Sequence, residues 1–423
     1  MSKTTPKPVK LSITNIYGGG DYTAEIQVGS NGDTANVTLD TGSSTLAVKT
    51  TAYNAAADTD IRATSLAQDV LYGSGAWAGP LVHTTVAFAL TEGTVSIKNT
   101  PIAITEDEQE GNFGNADGIM GLAYSALNEA FEIKAMLEQR KINPPVTYPW
   151  PFHVADTHEA IEKFQSELHE SGTIQPVTPY FTQLEEQGIV LNKFAFYTLR
   201  SFPYIGEGVT TVEEVLQEPL NQGFLILGGG EEETDLYTGE FTNVKVVDDV
   251  YYNINIIAAQ LGEQPEVKGL PLQEAYVADY VTNGIVDSGT NALTLDFQVY
   301  QGLIKSFSDI NPDFVTQIHL SGHTAEGILT SELNLSEWPT LYFMVEGAEG
   351  ETVKLAVSPD TYWQTNVSPG RSLFNIHGHP QFEEGVSLPN QSILGLTLMN
   401  NYYTIFDRSV GEKGVIKFAT IKK

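Results

Sequence analysis

Two short segments of this 423-residue chain combine an aspartate, a hydroxyl side chain and a glycine in the same order. Residues 40–43 read Asp-Thr-Gly-Ser, and residues 287–290 read Asp-Ser-Gly-Thr. Two carboxylates about 3 Å apart repel by roughly 5 kcal/mol at an effective dielectric near 20, so they share one proton over a wide pH range. One can then deprotonate a water molecule while the other protonates a carbonyl oxygen. The duplication therefore predicts hydrolysis by Asp40 and Asp287, with no metal and no cofactor.

Both segments lie between short apolar runs, which is typical of a strand, a tight loop and a second strand. The glycine two residues after each aspartate permits backbone angles that other residues resist. The hydroxyl side chains are short donors that can hold a carboxylate or the opposite loop. We therefore expect two lobes that contribute one acid each.

The two motifs, in this order and separation, resemble the paired signatures of the pepsin-type aspartic proteases, family A1. The resemblance implies an all-β, bilobal fold, with two antiparallel barrel-like lobes and a central cleft. Asp40 and Asp287 would face each other at the floor of this cleft. It also implies an endopeptidase that binds a polypeptide substrate, cuts between bulky hydrophobic residues at acidic pH and binds pepstatin-like inhibitors.

The same resemblance implies a role for every other residue of the two loops. Gly42 and Gly289 keep the loops tight. One pair of hydroxyls hydrogen-bonds the outer carboxylate oxygens, and a second pair cross-braces the two loops. These pairs are Ser43 with Thr290, and Thr41 with Ser288.

A second apolar motif is duplicated as well. Residues 119–122 read Ile-Met-Gly-Leu and residues 393–396 read Ile-Leu-Gly-Leu, which resembles the segment that threads behind each catalytic loop in this family. We predict an N-terminal lobe over residues 1–200, a connection over 201–221 and a C-terminal lobe over 222–423.

Residues 72–79 form a glycine-rich stretch flanked by apolar residues, and this pattern predicts a long β-hairpin. It resembles the flap of this family, where the tyrosine matching Tyr72 closes over the substrate, although an ordinary surface hairpin has the same pattern. The family usually has a tryptophan at the position of Ala47, and its ring nitrogen supports the flap tyrosine. We expect Trp77 to give this support instead. The flap residues expected to contact substrate are Tyr72, Gly73, Ser74 and Trp77.

Two further residues fall where the family lines its main specificity pocket. They are Phe113 and Ile119. Simple core packing is the alternative interpretation of both.

Residues 127–178 interrupt the β pattern and predict a helical insertion in the N-terminal lobe. One helix is expected over residues 129–140. A second is expected to start at Asp156, which has capping-box spacing to Glu159, and to end at Gly172. Peripheral decoration is the favoured interpretation of the insertion. Restricting one end of the cleft, or binding a partner, is the alternative.

Charge and composition restrict the partners and the compartment. The chain has 53 acidic and 22 basic residues, a net charge of −31, which disfavours nucleic acid and anionic membranes. The charge indicates either solubility or adaptation to an acidic or salty medium. The chain has no cysteine, no secretory signal pattern and no stretch of about 20 apolar residues. We therefore expect a cytoplasmic protein without a pro-segment. The family resemblance implies a monomer, and the lack of both cysteine and leader makes bacterial pepsin homologues of the shewasin type the nearest match.

Other chemistries fit the sequence less well. His319 with His323, and His377 with His379, lack the glutamate and the third ligand of a zinc site. A two-carboxylate glycoside hydrolase does not explain the duplicated loops. A pepsin-fold protein that binds another protein without cleaving it remains the alternative function. Such relatives usually lose an aspartate or the flap tyrosine, and this chain has Asp40, Asp287 and Tyr72.

Overall fold

The computed structural model describes residues 6–72, 75–90, 93–108, 113–152, 154, 157–323, 327–379 and 389–423. The chain divides into two compact units. The N-terminal unit comprises Tyr17–Gly19 and Thr23–Ile189. The C-terminal unit comprises the described residues up to Ile16, Gly20–Tyr22 and Val190–Lys423.

Strands dominate the first part of the chain, up to Glu186, and the three α-helices described in this part lie after Glu132. In chain order the elements are β1 (Val9–Gly18), β2 (Asp21–Val28), β3 (Asp33–Asp40), β4 (Leu46–Lys49), β5 (Arg62–Tyr72), β6 (Gly75–Ala89), β7 (Thr94–Thr105), β8 (Asp107–Glu108), β9 (Gly118–Gly121), β10 (Glu129–Glu132), α1 (Lys134–Gln139), α2 (His158–Ser171), β11 (Thr173–Pro176) and α3 (Tyr180–Glu186).

The second part of the chain alternates strands with short helices and contains the longer pair α6 and α7. Its elements are β12 (Lys193–Tyr197), α4 (Val212–Leu216), β13 (Gln222–Leu227), β14 (Tyr237–Lys245), β15 (Asn253–Ile254), β16 (Ile256–Leu261), β17 (Val267–Lys268), α5 (Val277–Tyr280), β18 (Gly284–Val286), β19 (Leu293–Leu295), α6 (Phe297–Ile310), α7 (Pro312–His323), β20 (Ile328–Leu329), β21 (Leu341–Glu346), β22 (Thr352–Val357), α8 (Pro359–Tyr362), β23 (Trp363–Ser368), β24 (Arg371–Phe374), β25 (Ile376–Gly378), β26 (Ser392–Leu394), α9 (Leu396–Met399), β27 (Tyr402–Asp407) and β28 (Val415–Ile421).

The N-terminal unit is built on one sheet with the strand order β11-β10-β5-β6-β7-β4-β9-β3-β2. Strand β2 also pairs with β6, where Gln27 lies opposite Ala87, so the sheet closes on itself like a barrel. Two of these pairs, β3–β9 and β4–β7, are parallel. The parallel pairing of β3 and β9 places their ends, at Asp40 and Gly121, side by side.

The C-terminal unit contains a sheet of β1, β13, β12, β27, β28 and β14, in that order. Three smaller sheets have the orders β15-β18-β26-β19-β25, β17-β16-β21-β22 and β20-β24-β23. Part of its core is an aromatic cluster around Trp338, whose ring stacks on Phe314 at a centroid distance of 4.2 Å and meets Trp363 edge-on at 5.0 Å. The predicted β fold class is confirmed, because strands dominate both units.

The predicted helix over residues 129–140 is wrong in its first third. Residues Glu129–Glu132 form β10, and the helix starts only at Lys134. Phe131 pairs with Ala67 of β5 on one side and with Ile174 of β11 on the other. Pairing with two strands that are distant in the chain outweighs the local helical preference.

The second inserted helix is confirmed, but its cap differs from the prediction. Helix α2 begins after Thr157, whose hydroxyl accepts a hydrogen bond from the Ala160 amide at 3.3 Å. Asp156 lies outside the described residues. The predicted end at Gly172 is confirmed. Among the described residues, no helix combines the length and the apolar character that crossing a membrane requires.

Candidate active site

Asp40 lies at the end of β3, where a second strand runs beside it. Strand β9 is parallel to β3 and antiparallel to β4, so it lies between the two strands that flank the Asp40 loop. Asp40 is opposite Gly121, and the Leu122 amide donates to the Asp40 carbonyl at 2.6 Å. Backbone hydrogen bonds therefore fix the loop from behind.

Asp287 occupies the same position in the C-terminal unit. Strand β26 is parallel to β18 and antiparallel to β19, and so lies between the strands that flank the Asp287 loop. The Asp287 amide donates to the Leu394 carbonyl at 3.2 Å, and the Leu396 amide donates to the Thr290 carbonyl at 2.8 Å. Each unit thus builds the same arrangement of one strand threaded behind an aspartate loop.

A glycine makes each thread possible. A Cβ atom on Gly121 would lie within 3.0 Å of the backbone of Ser43 and Ser44, and one on Gly395 would lie within 3.0 Å of the carbonyl of Thr290. Neither glycine has a left-handed backbone, so close approach is the reason for glycine here. Both belong to the motif that is duplicated in the sequence.

The two aspartates are nearly inaccessible to solvent, with 7% and 8% exposure for Asp40 and Asp287. In each loop the amide two residues on donates to one carboxylate oxygen: Gly42 to Asp40 Oδ1 at 2.7 Å, and Gly289 to Asp287 Oδ1 at 2.9 Å. These bonds hold the carboxylate plane in one orientation.

The hydroxyls differ between the two loops. Thr290 Oγ1 donates to Asp287 Oδ2 at 2.7 Å, as expected. Ser43 does not make the matching contact: its Oγ is buried and has no hydrogen-bond partner among the described residues. A single χ1 rotation decides which group a serine hydroxyl reaches, so the motif does not determine it. Thr41 and Ser288 are fully buried, and their cross-bracing stays a prediction.

The predicted hairpin is present in the N-terminal unit. Strands β5 and β6 pair antiparallel as far as Tyr72 and Gly75, and we call this pair the flap hairpin. Gly73 and Ser74 lie outside the described residues, and Tyr72 is described in its backbone only. The action of Tyr72 on a substrate therefore stays a prediction.

Trp77 is fully buried on one face of the flap hairpin. It shares an apolar cluster with Ala47, Phe113 and Ile119, and its Nε1 has no hydrogen-bond partner among the described residues. Phe113 and Ile119 are each 6% exposed. The structure thus places both in the core beside the aspartate loop, and their contact with substrate stays a prediction.

Two side chains of the inserted helix α2 that no sequence motif predicted contact the flap hairpin. Gln165 is 6% exposed and donates to backbone carbonyls of the hairpin, and His169 contacts Asp69. One signal was available for Gln165. It is a polar residue next to Phe164, on the face of the helix that the apolar residues define.

In the part of the chain that the structure describes, no group of three or more histidine, aspartate or glutamate side chains is placed to bind a metal ion. His319 is exposed on α7, and His379 Nε2 lies 2.6 Å from the Gln391 carbonyl.

Comparison with known proteins matches most of the chain to one family. The model of the eukaryotic aspartyl protease family matches residues 21–148 and 173–420. Gastricsin from Rattus norvegicus is 24% identical, over 94% of this chain and 81% of the relative. Beta-secretase from Strongylocentrotus purpuratus is 23% identical, over 95% of this chain and 67% of the relative.

The relatives compared are eukaryotic, so they do not support the expected closeness to bacterial homologues, which stays a prediction. The family model covers both aspartate loops and both threads, and it leaves residues 149–172 unmatched. The two β units fit the pepsin-like fold that the motifs implied. The chain belongs to the eukaryotic aspartyl protease family.

Proposed function

We propose that the chain is an aspartic endopeptidase in which Asp40 and Asp287 form the catalytic dyad. One observation carries the proposal: each unit presents an aspartate on a glycine-threaded loop, with its carboxylate held by the amide two residues on. One carboxylate cannot act as acid and as base in the same step, so the duplicated loops support a shared catalytic pair. Family membership supports aspartic endopeptidase activity in general and does not favour the non-catalytic alternative.

The dyad carries one proton when it is ready to react. The ionised aspartate takes a proton from water as the water oxygen bonds to the peptide carbon, and the other aspartate protonates the carbonyl oxygen. In the second step, the aspartate that took the proton from water donates it to the leaving nitrogen as the C–N bond breaks. The other aspartate, ionised in the first step, takes a proton from a hydroxyl of the tetrahedral diol, so the dyad ends with one proton again.

The proposed substrate is an extended polypeptide with bulky apolar residues on both sides of the cleaved bond. The apolar cluster of Trp77, Phe113 and Ile119 beside the Asp40 loop supports this preference. Tyr72, with Gly73 and Ser74, would cover the bound peptide. Thr41 and Ser288 would tie the two loops together. Activity should be highest at acidic pH, because the singly protonated dyad disappears once both acids ionise.

Cleavage of a denatured protein between pH 3 and 7 tests the proposal. We expect acid-dependent cleavage that pepstatin blocks, and losses of at least about 10³-fold in Asp40→Asn and in Asp287→Asn. Asp235→Asn, at an exposed position, is the matched control and should keep full activity. A folded chain that binds no pepstatin and cleaves nothing supports the binding alternative instead.

A further inference from the structure

The flap hairpin has two faces with different neighbours. Val70 lies opposite Trp77, and on the other face Asp69 lies opposite Ala78. Trp77 packs in the cluster beside the Asp40 loop. Ala78 packs in a second cluster, which includes residues of the inserted helix α2. The hairpin is therefore held between the body of the unit and the insertion.

Helix α2 lies within residues 149–172, which the family model does not match. Its buried face consists of residues at helical spacing: Ile161, Phe164, Gln165 and Leu168. Phe164 and Leu168 pack in one cluster with Ala67 and Ala78, one from each strand of the hairpin. This contact is extensive and apolar, so the helix is a fixed part of the unit and not a loose appendage.

Gln165 joins the two strands of the hairpin at one level. Its Nε2 donates to the Val70 carbonyl at 3.3 Å and is 3.5 Å from the Trp77 carbonyl, and these two residues face each other across the hairpin. The amide is buried, so these bonds replace water that it has lost. Because one side chain binds both strands, spreading or twisting of the strands here breaks a hydrogen bond.

His169 makes a second contact one residue further from the tip. Its Nε2 lies 3.1 Å from Asp69 Oδ2, and the Asp69 side chain is only 6% exposed. The imidazole also stacks on Phe131 at a centroid distance of 4.5 Å. Phe131 lies on β10, which pairs with β5 through Ala67. The imidazole thus bridges the hairpin and its neighbouring strand.

We propose that α2 is a brace for the flap hairpin, in which Gln165 and His169 are positioning residues that hold its two strands in place at the Val70–Trp77 and Asp69–Ala78 pairs. The proposal rests on the proposed function for its consequence, which is that the brace sets how the hairpin closes over a peptide. It replaces the expectation that the insertion is peripheral decoration. Among the described residues, the polar contacts of both side chains are with the hairpin and not with the aspartate loops.

Hydrogen exchange of hairpin amides tests the brace without any substrate. In Gln165→Leu we expect amides of residues 66–72 and 75–80 to exchange about threefold to tenfold faster, from the loss of the buried hydrogen bonds. The remainder of the N-terminal unit should be unchanged. Lys163→Gln, on the exposed face of the same helix, is the control and should match the native chain. Unchanged hairpin exchange in Gln165→Leu overturns the proposal, as does equal acceleration throughout the unit.

His169→Ala is a second variant in case Gln165→Leu fails to fold, because the imidazole is 57% exposed and its removal leaves the apolar contacts of Phe164 and Leu168 intact. It should accelerate hairpin exchange by a smaller factor. No acceleration in this variant overturns the role of His169.

Peptide cleavage gives the second readout. In Gln165→Leu the KM for a peptide should rise about threefold to tenfold with a smaller change in kcat, since the dyad is untouched. Gln165→Glu should resemble the native chain near pH 3, where a neutral carboxyl can still donate, and should lose this resemblance once the pH is high enough to ionise the buried carboxyl, because a carboxylate cannot donate to the two carbonyls. A native chain without cleavage refutes the proposed function alone. Normal KM values in both variants of an active chain refute the brace.

Discussion

The side chains of Trp77 and Ala47 lie in one buried cluster, although Trp77 belongs to β6 and Ala47 to β4. The pepsin-type proteases that the chain resembles usually have their tryptophan at the position of Ala47. Here the indole enters the same region from the flap hairpin. The small side chain on β4 leaves the volume that the large one on β6 occupies.

This pairing predicts a coupled response to substitution. Trp77→Ala should cost about 3 to 5 kcal/mol of unfolding free energy, because it empties a buried site. Ala47→Trp alone should also destabilise, since the cluster has no room for a second indole. The double variant Ala47→Trp/Trp77→Ala should recover at least about 1 kcal/mol relative to the sum of the two. Denaturant unfolding measures all three, and strict additivity would contradict the exchange of positions.

The indole nitrogen of Trp77 has a separate, functional prediction. Trp77→Phe keeps most of the apolar contact but removes Nε1–H, the group expected to support the flap tyrosine. Turnover or peptide affinity should therefore fall while the free energy of unfolding changes by less than about 1.5 kcal/mol. Steady-state kinetics with one peptide, beside a denaturant titration, gives both values. Unchanged kinetics would show that the nitrogen has no such role.

The threading glycines should be intolerant of a single methyl group. Gly121→Ala and Gly395→Ala each place a Cβ against the backbone of the aspartate loop in their own unit. We expect losses of at least about 2 to 3 kcal/mol in unfolding free energy and a large loss of activity. Gly322→Ala is the control, because Gly322 lies near the end of α7 with open space around it. That variant should be neutral or slightly stabilising.

The unequal hydroxyls predict unequal effects on catalysis. Thr290→Val removes the donor to Asp287 Oδ2, a hydrogen bond worth about 1.5 to 3 kcal/mol whenever the acceptor is ionised. The pH–rate profile should shift, and kcat should fall by about tenfold or more. Ser43→Ala removes a hydroxyl that has no partner among the described residues, so its kinetics should stay within about threefold. Equal losses in the two variants would mean that Ser43 also binds its carboxylate during the reaction.

An ion-pair network in the C-terminal unit should keep its stabilising effect in moderately acidic solution. Burial alone would raise the pKa of Glu231, but hydrogen bonds from Lys193 and Lys417 outweigh it and lower the pKa to about 2. Because this folded-state pKa lies below the ordinary value of 4.5, the stabilisation is complete above pH 4.5 and is lost as the pH falls through about 2.

Glu231→Gln measures this contribution. Above pH 4.5 we expect it to lower the unfolding free energy by about 1 to 2 kcal/mol, a value discounted for solvent screening of a side chain that is 33% exposed. The difference from the native chain should shrink as the pH approaches 2. Exposed Glu412→Gln should show no such trend. A constant difference between pH 2 and 6 would rule out the network as its source.

The sequence predicted helix α2 of the N-terminal insertion but not the neighbouring strand or the contacts of the insertion with the hairpin. The periodicity of α2 and its end at Gly172 were readable, because helical spacing and a glycine stop are local signals. The strand at Glu129–Glu132 was not, because its partners β5 and β11 are supplied by distant parts of the chain. The same holds for Gln165, whose bonds to the hairpin carbonyls exist only after α2 has docked.

The amino-acid sequence by itself determined which residues are proposed to carry the chemistry: two aspartates, each with its own glycine, hydroxyls and threading motif. These features are local and duplicated, so their pattern survives without any knowledge of packing. The tertiary structure decided which hydroxyl reaches its carboxylate, that Trp77 packs in one cluster with Ala47, and which residues the insertion contacts. Each of these outcomes depends on side chains that separate strands and helices bring together, and a local sequence pattern does not predict such long-range contacts.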